Sequence, residues 1–284
     1  MLENQFSRTA LGAALHRAAH QTLERGLVFQ DPFACAILGV TPEEAAAQDG
    51  GDERRRRMRL FIAARSWLAE RRIATAVARG VRQVVVLGAG LDTFGLRNPH
   101  AAEGLRVFEV DHPDTQAWKR ERIAAMGAQA PALTFAPCDF ERDDLGEALA
   151  RADVDRSAPT FFMWLGVTPY LTREAAMTTL RTIAETPGAE VVFDYTEGAE
   201  RDQGEAQAFH RELLERVAAV GEPIIGFFEP QALARDLLAL GLTEQEDFNS
   251  QEIAVRFFGV PRDQAPSGAA GHVIWARRPD RSAA

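Results

Sequence analysis

Two cysteines are all that this 284-residue chain carries, and Cys35 and Cys138 stand far apart, outside any Cys-X-X-Cys pair or Cys/His cluster. That scarcity argues against a disulfide framework and against a zinc site, and it leaves both residues to be read as small buried side chains. No apolar run approaches the roughly 18 residues needed to cross a bilayer, and the amino terminus has no apolar signal core. The expectation is a cytoplasmic protein with no membrane partner. Positive charge is in deficit, since 32 Lys and Arg face 41 Asp and Glu for a formal net charge of -9. Such a balance disfavours attraction to a phosphate backbone, so nucleic acid is not an expected partner. The run Arg54 to Arg57 is the exception, but Asp52 and Glu53 adjoin it and it reads as a solvated helix start. There is no internal repeat.

With 46% hydrophobic residues, the chain has enough apolar side chains for one α/β domain and an added helical segment. Apolar spacing predicts a helix over residues 7–25, stopped by Gly26, and Asp31-Pro32 predicts the start of a short second helix. Pro42, Gly50 and Gly51 make 41–52 read as a mobile connection, and a long helix follows over 54–79. Strands are expected near 83–87, 105–110, 132–136, 160–165 and 189–194, alternating with helices. That alternation means a parallel sheet with helices on both faces, which binds ligands beyond the carboxyl ends of its strands. Beyond Asp194 the pattern gives an amphipathic helix over 201–219, a break at Pro223 to Gly226 and a helix over 230–240. Two last strands near 243–248 and 271–277 are joined by the loop Pro261 to Gly271, and the final six or so residues read as frayed.

The stretch Val84-Val85-Val86-Leu87-Gly88-Ala89-Gly90-Leu91-Asp92-Thr93 is a buried strand that breaks into a Gly-X-Gly turn. A second apolar run ends on Glu109-Val110-Asp111, about twenty residues on, where a carboxylate suits both hydroxyls of a ribose. An ordinary strand-to-helix turn and a helix cap at Asp111 are the plainer readings. The dinucleotide fingerprint is broken, because its third glycine would fall on Thr93 and Gly95 does not restore the spacing. Asp92 would also repel a pyrophosphate. A cofactor with a cationic amino-acid tail and no phosphate, such as S-adenosylmethionine, suits the turn better.

These blocks, together with Asp31-Pro32-Phe33-Ala34, Ala63-Ala64-Arg65, Pro137-Cys138-Asp139-Phe140 and Phe161 through Leu171, occur in the order of a known family. The chain resembles a class I S-adenosylmethionine-dependent methyltransferase of the leucine carboxyl methyltransferase-like family, in its bacterial and actinobacterial branch. The resemblance implies a Rossmann-like, seven-stranded, mostly parallel sheet with the last strand antiparallel beside the fifth. It also implies an N-terminal helical lid over 1–80 and a core over 81–284 with a helical insertion at about 198–229. The cofactor, with product S-adenosylhomocysteine and no metal, would be held by Gly88, Ala89, Gly90, Asp111, His112 and Trp164. Asp139 and Phe140 would recognise adenine, though Asp139 also reads as the cap of a helix over Glu141 to Leu149. Arg65 would clamp the methionine carboxylate bidentately, with Arg17 as a second cation; the plainer roles are a solvated helix face or a salt bridge for Arg65 and a surface position for Arg17.

One position departs from the family. A glutamate is expected before the Gly-Val that leads to Tyr170, and here Leu165 stands there. The expected reaction is O-methylation of a carboxylate or hydroxyl on a small molecule, such as a secondary metabolite. Tyr170, Tyr195, Phe209 and Phe227, with Phe228, are the candidate acceptor pocket, although such aromatics often belong to a core. His112, Tyr195 and His210 have the chemistry of a base, and none has a spacing that assigns it. Protein carboxyl methylation, a catalytically silent cofactor-binding module and a nicotinamide oxidoreductase are the alternatives, the last disfavoured by the broken fingerprint. The oligomeric state is left open.

Overall fold

A computed structural model describes residues 8–140, 142–198, 211–212, 214–215, 218, 223–265 and 271–279. The chain divides into two compact units, residues 1–154 and 155–284. The strands are β1 (Gln83–Leu87), β2 (Arg106–Asp111), β3 (Leu133–Pro137), β4 (Phe161–Trp164), β5 (Glu190–Thr196), β6 (Glu244–Asn249) and β7 (Gly271–Arg277). They form one seven-stranded sheet in the order β3-β2-β1-β4-β5-β7-β6, the Rossmann-like α/β arrangement implied by the resemblance. β5 pairs antiparallel with β7 from Glu190 opposite Arg277 to Thr196 opposite Gly271, so the last strand does lie antiparallel beside the fifth.

In the first unit, β2 pairs parallel with both β1 and β3. β1 is buried along its whole length, as its run of valines requires. Four helices precede it: α1 (Arg8–Leu23), α2 (Ala34–Leu38), α3 (Pro42–Asp49) and α4 (Glu53–Ala78). After β1 come α5 (Phe94–Arg97), α6 (Pro113–Met126) and α7 (Leu145–Arg151). Ala14 of α1, Ile37 of α2, Leu91 and Leu96 form one apolar cluster, joined by Leu11, Trp118 and Leu133. That cluster seats the first two helices on the chain just after β1.

Three local expectations are corrected. Residues 42–49 form the helix α3, because the Thr41 side chain accepts from the Glu44 N–H while the Glu44 carboxylate accepts from the Thr41 N–H; proline and glycine bracket this helix instead of breaking it. The second helix begins at Ala34, not at Asp31-Pro32, because the Asp31 carboxylate spans a preceding turn, its Oδ1 accepting from the Phe33 N–H at 3.1 Å and its Oδ2 from Arg17. The helix expected from Glu141 begins at Leu145, and its cap is Asp144 and not Asp139. The arginine run is the solvated start of α4, where Arg56 and Arg57 reach Glu53 at 3.5 and 3.6 Å. Cys138 is buried, and burial pushes its thiol up to about 11; Cys35 is only half-buried.

The second unit holds β4 to β7 with α8 (Arg173–Ala184), α9 (Pro230–Ala239) and α10 (Ser250–Phe258). The sequence pattern does not single out α10, although its signal is present, for Asn249 and Glu252 make a reciprocal capping box. The helix expected over 201–219, with Phe209 and His210, lies outside the described residues apart from a few positions.

Candidate functional site

The first unit brings the carboxyl ends of β1 and β2 together. The N–H groups of Gly88 and Ala89 donate to the Val110 carbonyl at 2.8 and 3.2 Å, which turns the chain sharply out of β1. Gly88 and Gly90 adopt φ of +62° and +46°, the left-handed region that a side chain disfavours. A Cβ on Gly90 would stand 3.1 Å from the Ala10 Cβ of α1, so the helix rests directly on the turn. The third glycine of the dinucleotide fingerprint is missing, yet its packing role survives at Gly95, where a Cβ would come 2.7 Å from Leu133 and 2.8 Å from Glu109.

Asp111, the last residue of β2, accepts from the Gly90 N–H at 2.5 Å on one oxygen and from the His112 N–H at 2.7 Å on the other. Burial raises its pKa above the ordinary carboxylate value, with the two N–H groups pulling the other way. Each carboxylate oxygen has two lone-pair sites, so each retains one acceptor position. A pair of acceptors at the end of the second strand fits a ribose diol.

His112 caps α6, its Nδ1 accepting from the Asp114 N–H at 3.2 Å, and its Nε2 lies 4.0 Å from the Asp139 carboxylate. The ends of β2 and β3 therefore converge, with Phe140 next in the chain and half-buried. Arg65 is half-buried on α4. Arg17 is 6% exposed and already engaged: its Nε donates to Asp31 at 2.7 Å and its Nη2 to the Leu91 carbonyl at 2.6 Å. It grips the turn itself.

The other candidates belong to the second unit. Trp164 ends β4, fully buried, with its ring 5.8 Å from that of Phe193. Leu165 and Tyr170 are half-buried, and Phe227 is 37% exposed beside Thr196, to which it bridges. Phe228 is buried against Tyr195. Tyr195 is buried and donates to Asp247 Oδ2 at 2.5 Å, with His272 Nδ1 3.1 Å from its hydroxyl. Burial, then the Asp247 charge, drives the Tyr195 phenol far above its ordinary pKa, so it stays protonated and is no base. His272 stacks on the Tyr195 ring and bonds Glu197 at 2.8 Å and Asp247 at 3.1 Å. Sequence spacing gives no hint of this four-residue network, since Asp247 and His272 lie 52 and 77 residues from Tyr195. Only strand register places His272 opposite Tyr195.

The sheet and the glycine turn at the end of its first strand define an α/β protein of the Rossmann-like methyltransferase class. Residues 10–184 match the family model described as leucine carboxyl methyltransferase, and the chain belongs to that family of S-adenosylmethionine-dependent methyltransferases. A candidate S-adenosyl-L-methionine-dependent methyltransferase of Bacillus subtilis strain 168 is 29% identical over 97% of this chain and 99% of its own length. Another, from Saccharopolyspora erythraea, is 36% identical over 180 residues, which span 62% of this chain and 61% of that protein. Among solved structures, the magnesium protoporphyrin IX methyltransferase of Synechocystis PCC 6803 with bound SAH aligns over 94% of this chain and 99% of its own, with a TM-score of 0.50 and 10% identity. At that identity the likeness is one of fold alone.

Proposed function

We propose that this protein is an S-adenosylmethionine-dependent O-methyltransferase whose acceptor is a carboxylate or hydroxyl of a small molecule. The observation that carries the cofactor part is the Asp111 carboxylate fixed by the Gly90 and His112 N–H groups with an acceptor position left on each oxygen. In this reading Asp111 takes the ribose hydroxyls, and Gly88 to Gly90 let the backbone approach the ligand. Asp139 and Phe140, with His112 beside them, receive adenine, and Arg65 the methionine carboxylate. Arg17 shapes the turn instead of serving as a second cation to the ligand.

Bound there, S-adenosylmethionine supplies an electrophilic methyl carbon that an acceptor oxygen displaces from sulfur, leaving S-adenosylhomocysteine. The protein's part is alignment and exclusion of water, which for positioned reactants is worth several kcal/mol, of the order of 7 or more at best. A carboxylate acceptor is ionised at neutral pH and needs no base. We read the helices of residues 1–80 as a cover; the insertion proposed at 198–229 lies for the most part outside the described residues. The net charge of -9 supports a small acceptor over nucleic acid. Among the described residues no helix is long and apolar enough to cross a membrane.

A second reading, a cofactor-binding module without turnover, is favoured by Leu165 in place of the family's glutamate. Methyl-labelled cofactor incubated with panels of small carboxylic acids, phenols and alcohols separates the two. The proposal expects label on oxygen, released by mild alkali from an ester and retained by an ether. Label on nitrogen or on protein alone would contradict it, and binding without transfer to any acceptor would favour the silent module.

A further inference from the structure

Asp31, the first residue of the Asp-Pro-Phe-Ala block, is buried at 2% exposure and ties together parts of the chain distant in sequence. One of its carboxylate oxygens accepts from Arg17 Nε at 2.7 Å, and the other lies 3.5 Å from Arg97 Nε. Arg97 in turn forks onto Glu70 of α4 at 2.9 and 2.5 Å and donates to the Thr93 hydroxyl at 3.1 Å. At the other end of this charge chain, Arg17 Nη2 holds the Leu91 carbonyl at 2.6 Å, across 74 residues. Gly90 and Leu91 are thus gripped from two sides, the N–H of one by Asp111 and the carbonyl of the other by Arg17.

Left alone, a buried carboxylate would gain a proton; the two guanidiniums outweigh burial and keep Asp31 below its ordinary range. An arginine side chain has many rotamers, and only a fixed anion on its Nε leaves Nη2 aimed at a single carbonyl. A buried ion network that served stability alone could be exchanged for apolar side chains. This one ends on a main-chain carbonyl of the turn whose N–H carries the proposed ribose acceptor.

We propose that Asp31 is a positioning residue for the cofactor turn: through Arg17 it fixes the Leu91 carbonyl, so that Gly88 to Gly90 and the Asp111 carboxylate are set for an adenosyl ligand before it arrives. The inference rests on the reading of that turn as the S-adenosylmethionine site. Asp31 does not touch the ligand and acts on affinity through Arg17.

Calorimetric titration with S-adenosylhomocysteine tests it on the full-length wild type and on Asp31→Asn, Arg17→Gln, the double variant and Asp49→Asn, each with a thermal melt. Asp49 pairs with Arg59 and with His16 in the same helical layer and makes no hydrogen bond to the turn, so its variant reports what losing buried ion pairs in that layer does by itself. Asp31→Asn and Arg17→Gln are expected to raise Kd roughly tenfold or more, and the double variant to bind no more weakly than the poorer single one. Asp49→Asn is expected to lower Tm comparably and leave Kd within about twofold. Arg17→Lys, which keeps the charge but cannot serve both acceptors, is the milder variant should Arg17→Gln not fold, and it is expected to weaken binding several-fold. Unchanged Kd in Asp31→Asn and Arg17→Lys, or losses that add in the double variant, would overturn the positioning role. A folded wild type that binds no S-adenosylhomocysteine would overturn the cofactor reading, a result distinct from failure of the variants alone.

Discussion

The N–H of Gly90 donates to the Asp111 carboxylate at 2.5 Å, joining the turn after β1 to the last residue of β2 across 21 positions of sequence. Hydrogen bonds to a charged group contribute about 1.5–3 kcal/mol each. Asp111→Asn is therefore expected to raise the Kd for S-adenosylmethionine about 10- to 100-fold, through weaker ribose contacts and a looser turn. Calorimetry on the folded variant reads the change. Affinity equal to wild type would remove Asp111 from the site.

Gly90→Ala tests the turn from the other side. Its φ of +46° disfavours a side chain, and the new methyl would stand 3.1 Å from that of Ala10. The expected cost is about 1–3 kcal/mol of stability together with weaker cofactor binding, because α1 must lift or the turn must open. A melt and a titration of the same sample separate the two effects.

Lys119 is the single lysine of the sequence, and it is buried at 1% exposure with its ammonium 2.6 Å from Glu109. Burial pushes Glu109 up to about 7, with Lys119 pulling it down. Since this is above the ordinary 4.5, the folded state binds the proton more tightly, and the group's contribution to stability falls as pH rises from 4.5 through 7. Glu109→Gln removes that slope. Lys119→Met is expected to cost about 3–5 kcal/mol by leaving the carboxyl without its cation, and the double variant Lys119→Met/Glu109→Gln to recover most of it. In the native protein Lys119 should resist amine acylation until denaturant is added, which peptide mapping reads; rapid labelling of the native fold would contradict the buried pair.

His272 gives a second pH dependence. Burial alone would lower its pKa, but the Asp247 and Glu197 carboxylates, together with its hydrogen bonds to them, raise it above 6.5. The stability from this imidazolium is fully present below about pH 6.5 and is lost as pH rises through the folded value. Chemical denaturation from pH 5 to 9 is expected to show that decline in wild type and a flatter profile in His272→Gln. Identical profiles would place the charge elsewhere.

Most of the strands and the longer helices were legible in the sequence because their signals are local. Four apolar residues before Gly88, three of them β-branched, read as a buried strand, and β5 and β7 follow from the same kind of run. Where the reading went astray, the deciding partner was distant or the punctuation was ambiguous. Pro42 and Gly50 mark the ends of α3 as well as they would mark a loop, and the Asp31 carboxylate is shared between the local Phe33 N–H and the distant Arg17. The same limit applies to the candidate site. Gly90 and Asp111 were visible from spacing, whereas the hold of Arg17 on Leu91, the ion chain through Asp31 and the stacking of His272 on Tyr195 depend on the fold having formed.

Parallel calorimetric titration of the wild-type protein with S-adenosylmethionine, S-adenosylhomocysteine and NAD tests the central claim most directly. The account predicts saturable binding of the first two and none of NAD, whose pyrophosphate would meet Asp92 at a turn without the third glycine. Binding of NAD with no affinity for either sulfur ligand would contradict the cofactor site and every role assigned around it.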